Sequence, residues 1–181
     1  LTARYKRTVE RVTTEACWLY TEQSALIALG KVDAHGLDFF RVAFTGLLGD
    51  RLLRLVRILE ENTRVASFWY LYRCSPKSVE QALKRTSVSV AELRDFSRRL
   101  RSIRNQTFVH IDKAGVFDPA KIYKDAGIKN SEVDKTIRAL WTAMQELYAT
   151  TVGSGYRYDV YSGDDVAVLE KARNEIQQKV N

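Results

Sequence analysis

Apolar residues recur at helical spacing along most of this chain, and the stretches that carry the pattern are long. Over residues 4–29, Val9, Val12, Ala16, Leu19, Leu26 and Leu29 fall on one side of a helix advancing about 100° per residue. Gly30 follows the last of them and marks a stop. Residues 33–36 read as a loop, with His35 beside Gly36 in a turn role. A second long helix is predicted over residues 38–61, its packing side formed by Leu37, Phe40, Phe44, Leu48, Leu52, Leu55 and Leu59. Ser75 before Pro76 predicts the start of a short helix reaching Arg85, because proline suits the first helical position. Ser89 and Glu92 have the spacing of a capping box. They open a third main helix, with Val90, Leu93, Phe96, Leu100, Ile103, Phe108 and Ile111 as its stripe, predicted to run to about residue 112 and to be ended by Gly115. Asp118 and Pro119 open a further short turn.

Ser131 and Asp134 predict the cap of a fourth long helix, with Val133, Ile137, Leu140, Met144, Leu147 and Tyr148 turned inward. A tyrosine-rich connection over residues 153–163 is expected to pack as a hinge, with a brief extended piece at 156–161. Residues 162–165 cap a last helix reaching about residue 179. The aromatic run at 67–73 reads as core or dimer contact ahead of a platform for bases. The expected fold is therefore all-α: one domain over residues 1–181, an antiparallel bundle of four or five long helices with short helical insertions, its core at about 4–150 and its C-terminal helix at about 163–180.

Composition supports this picture and adds a charge argument. A chain of 181 residues, 45% hydrophobic, can bury one substantial core, and two prolines with nine glycines leave few breaks. Cys17 and Cys74 stand alone, which fits a reducing, cytoplasmic setting, and no cysteine–histidine spacing suggests a metal. No apolar run is long enough to span a bilayer, and the polar start of the chain does not read as a signal peptide, so no membrane partner is expected. The chain opens on Leu1 rather than Met, as a piece of a longer protein would. The net charge of +7 is uneven: Arg94, Arg98, Arg99, Arg101 and Arg104 cluster on the third main helix, which points to a polyanion, nucleic acid first. The competing reading is a solvated face held by ion pairs within the chain.

Phosphate loops, nucleophile elbows and dinucleotide fingerprints are absent, and the helix around residues 104–110 offers only Asp95 and Asp112 nearby, both on its outward side. Arg104 falls within the apolar stripe and must find an anion: a carboxylate such as Glu60 or Glu146, a group of a second subunit, or a phosphate. His110 lies just beyond it. A histidine moves protons near neutral pH and an arginine stabilises phosphoryl charge, so the two can cleave RNA without a metal or other cofactor. Asn105 can orient either group, and Arg94, Arg98 and Arg101 share its face and can guide the RNA backbone. Arg104 and His110 are about 120° apart on a straight helix, and one histidine does not readily serve as acid and base together, so a site built from two copies of the helix is expected.

Arg104, the asparagine after it, and His110 with five residues between it and the arginine, followed by Ile111 and Asp112, resemble the motif of HEPN domains, most nearly the AbiU2-like branch. The resemblance covers the bundle at about residues 4–150. It implies a metal-independent endoribonuclease active as a homodimer, in phage defence or in a toxin–antitoxin system with a possible antitoxin protein as partner. Family members silenced by a nucleotidyltransferase carry tyrosine where this chain has Asp112, so that modification is excluded here. From a different class, a non-catalytic helical module that binds protein or nucleic acid competes with this reading, as does a purely structural dimer.

Overall fold

A computed structural model of the chain describes residues 2–32, 38–105, 124–159 and 161–180. It is all-helical, with no strand among the described residues. Helix α1 spans Ala3–Leu29, α2 Asp38–Ile58, α3 Phe68–Cys74, α4 Pro76–Leu83, α5 Val90–Ile103, α6 Asn130–Val152 and α7 Asp164–Val180. Helix α1 is the hub: it packs on α2 and α6, and also touches α3 and α7. Helix α4 bridges α3 and α6, and α5 lies against α2.

Each boundary has a local cause. Thr2 Oγ1 accepts from Tyr5 N–H at 3.2 Å, satisfying a donor that the first turn of α1 leaves free. At the other end Gly30 N–H returns to Leu26 O at 2.9 Å. Ser67 caps α3 and Ser89 caps α5, the latter with the complete capping box that its sequence predicts. Gly153 ends α6 in the left-handed region, at φ 85°. The buried faces also follow the expected stripes: Val9, Val12, Ala16, Leu19 and Leu26 on α1, Leu93, Phe96, Leu100 and Ile103 on α5, and Val133, Ile137, Leu140, Met144 and Leu147 on α6. Phe68, Trp69 and Leu71 of the aromatic run are core residues.

Three expectations need correction. Helix α6 begins at Asn130 after Lys129, without a side-chain cap, because Glu132 N–H and Val133 N–H already bond to Lys129 O. Asp134, expected to share in that cap, instead faces Arg51 of α2 at 3.6 Å. Helix α2 stops at Ile58, and its first half buries nothing: residues 38–50 are all half-buried or exposed, with Phe39 and Val42 fully out. Residues 156–159 form no strand. Their tyrosines instead pack on α6, Trp141 meeting Tyr158 edge-on at 4.7 Å and Tyr156 at 5.9 Å, with Tyr156 also against Tyr148. This holds the connection onto the bundle, as a packed hinge requires. Gly163, at φ 80°, lets the chain pass so close to α1 that a Cβ there would stand 2.8 Å from that of Ala28.

The predicted continuation of α5 to residue 112, Gly115, the turn at Asp118 and Pro119, and the loop with His35 lie outside the described residues.

Candidate functional site

The capping box fixes where α5 starts, and the 3.6-residue repeat fixes everything after it. With Leu93, Phe96, Leu100 and Ile103 inward, Arg94, Arg98, Arg101 and Asn105 are carried to the outer face and Arg104 to its edge. Arg104 keeps helical dihedrals beyond the end of α5, and its Nε donates to Asn105 Oδ1 at 3.0 Å. The structure thus brings Arg104 and Asn105 into contact, with three further arginines on adjoining turns. His110 lies outside the described residues, as do Phe108, Ile111 and Asp112.

Almost every arginine here already has an anion. Arg104 Nη1 pairs with Glu60 Oε2, and Arg101 pairs with Glu61 at 2.5 Å. Arg98 reaches Asp95 at 2.5 Å on the same helix and is largely exposed. Arg99 holds Asp95 at 2.8 Å and also Glu132 of α6; these partners raise its already high pKa, the hydrogen bond it donates to Glu132 contributing most. The same two arginines hold the Asp95 carboxyl below its ordinary range. Arg94 has no carboxylate within ion-pair reach among the described residues but stacks over Trp69 at 5.1 Å and Tyr72 at 5.9 Å. Of the two partners expected for Arg104, Glu60 is the one used; Glu146 is taken by Arg85 at 2.8 Å.

The segment that carries Glu60 and Glu61 was not expected at the site. It follows α2, and it is tied to α5 by Ser97 as well, whose Oγ donates to Leu59 O at 3.0 Å. Trp69 Nε1 approaches the same hydroxyl at 3.4 Å. The signal was present: two consecutive glutamates close the apolar pattern of α2 at the point where that helix must abut α5.

A second polar cluster went unread, between α1, α2 and α6. Arg51 lies inside the α2 stripe, in line with Leu48 and Leu55, and is 5% exposed. Its Nη1 donates to Gln23 Oε1 at 2.7 Å, while its Nε is buried without an acceptor. One turn on, Arg54 gathers Glu22 at 2.5 Å, Glu15 at 2.9 Å and Asp50 at 3.0 Å. Burial, together with the adjacent Asp50, pushes the Glu22 carboxyl up to about 7 against the pull of Arg54. Glu22 Oε2 is buried with no hydrogen-bond partner among the described residues.

Among the described residues no three histidine, cysteine or acidic side chains stand together as a metal site requires. Nor is any helix among them long and apolar enough to cross a membrane. No family model, no curated protein and no solved structure matches this chain.

Proposed function

We propose that the chain is a metal-independent endoribonuclease of the HEPN type, working as a homodimer in phage defence or a toxin–antitoxin system. The observation that carries the reading is the contact of Arg104 with Asn105 at the end of a helix whose outer face presents Arg94, Arg98 and Arg101. In this reading one His110 takes the proton from a ribose 2′-hydroxyl, and the 2′-oxygen attacks the adjacent phosphorus. The 5′-oxygen leaves with a proton from the His110 of the other copy. Arg104 neutralises the charge gathering on the phosphoryl oxygens. The products are a 2′,3′-cyclic phosphate and a 5′-hydroxyl. The largely unburied first half of α2 offers the second copy an apolar surface. RNA incubated with the protein in excess chelator is expected to yield cyclic phosphate ends; cleavage that stops with chelator would overturn the reading.

One observation favours a different reading. Arg104 is tied to Glu60 within its own chain, as a structural arginine would be. A non-catalytic helical module would hold RNA or protein without breaking it, and Arg104→Ala would then lower its melting temperature while leaving no cleavage to lose.

A further inference from the structure

Residues 59–61 run along α5 and meet three of its side chains in turn: Ser97 binds Leu59 O, Arg101 binds Glu61, and Arg104 binds Glu60. The segment is braced from behind. Asn62 N–H donates to Glu60 Oε1 at 3.2 Å, and Arg73 donates to Glu61 O at 3.2 Å. The space left between α2 and α5 beside Glu60 and Arg104 is about 10 Å³, room for no more than a water. A phosphate therefore reaches Arg104 from this side only by taking the place of Glu60.

Carboxylate and phosphate make the same demand on a guanidinium, an acceptor edge with negative charge. Two consecutive carboxylates thus occupy two arginines one helical turn apart, which two phosphates of a strand can occupy in their place. We propose that the turn after α2 is a built-in phosphate mimic, with Glu60 and Glu61 occupying Arg104 and Arg101 until RNA displaces them. This rests on the reading of the arginine face as an RNA site, and adds its regulation.

The exchange is feasible because these pairs are accessible. Arg101 and Glu61 are 39% and 37% exposed as side chains, and Arg104 and Glu60 25% and 22%, whereas the locked Arg51 is 6% exposed. Accessible pairs hold weakly. A released Glu60 also has somewhere to go. On its other side a cavity of about 410 Å³ opens between α1 and the end of α2, lined by Arg57 and by Arg11, which already holds Glu15 at 2.6 Å.

The test is binding of a fluorescent single-stranded RNA oligonucleotide to the full chain across a salt series. Glu60→Gln with Glu61→Gln keeps both shapes and the bond from Asn62 while freeing two arginines. The expected result is about tenfold tighter binding, with a log–log salt slope steeper by roughly 1.4, the value for two added phosphate contacts on a single strand. Glu170→Gln with Glu175→Gln, the same charge change on α7, is expected to steepen it far less. Adding Arg104→Ala and Arg101→Ala removes the gain. If the double variant unfolds, Glu61→Gln alone carries the test, with about half the steepening expected. Binding no tighter and no steeper than the α7 control overturns the mimic, while chelator-resistant cleavage by the unaltered protein would keep the enzyme reading. Tighter binding with no cleavage by any form keeps the mimic and overturns the enzyme.

Discussion

Single side chains decide most of what this bundle can do, and Gly163 is the simplest case. Its φ of 80° and the 2.8 Å that would separate an added Cβ from Ala28 leave no room for a side chain. Gly163→Ala is expected to destabilise the protein by about 1–3 kcal/mol, measured by chemical denaturation; an unchanged midpoint would mean the loop is not seated on α1. Arg104 and Arg51 show how residue logic reads a sequence. Both arginines lie in line with apolar neighbours, and both are matched by polar groups, Glu60 for one, Gln23 and Asp134 for the other. The need for an anion was legible at Arg104 from the pattern alone. Which anion answers was not, because Glu60 and Glu146 are both far away in sequence and only packing chooses between them. Arg51 carried the same signal in the α2 stripe and is the more buried of the two.

At the scale of elements, the periodic stripes of α1, α5 and α6 were legible because burial and helical spacing agree there. Caps were legible where the side chain has nothing better to do. The Ser89 box forms, and its hydrogen bonds from Ser89 backbone and hydroxyl pull Glu92 down to about 2. The start of α6 was misread because Asp134 is drawn to Arg51 and Glu132 to Arg99. Two predictions belong here. Burial at the α1–α2 contact raises the Glu22 carboxyl from 4.5 to about 7. A raised carboxyl contributes stability that is complete below its unfolded value and is lost as pH rises through the folded one. Thermal midpoints are therefore expected to fall between about pH 5 and about pH 8, by up to roughly 1 kcal/mol per pH unit in stability, and Glu22→Gln to flatten that fall. Equal slopes for both proteins would refute the raised Glu22 carboxyl. Helix α2 supplies the other prediction. Gly46 and Gly49 have open space where a Cβ would go. At protein concentrations low enough to keep single copies apart, Gly49→Ala should stabilise by about 0.5–1 kcal/mol. A loss of stability that deepens with protein concentration would instead mark close approach by a second copy.

The molecule as a whole is an all-α bundle, and that much followed from its repeating pattern and its scarcity of prolines and glycines. The proposed function draws on the arginine face at one end of α5 and on the motif that Arg104, Asn105 and His110 form in the sequence. A shared cleft needs two copies, so light scattering should give twice the 20.7 kDa chain mass, and a monomer at micromolar concentration would remove the second histidine that acid–base cleavage calls for. The most direct measurement of the central claim compares RNA cleavage by the unaltered protein and by His110→Ala, both shown to be folded, in the presence of chelator. The account predicts a loss of about 100-fold or more with His110→Ala. Equal rates for the two proteins, or no cleavage by either, would contradict it.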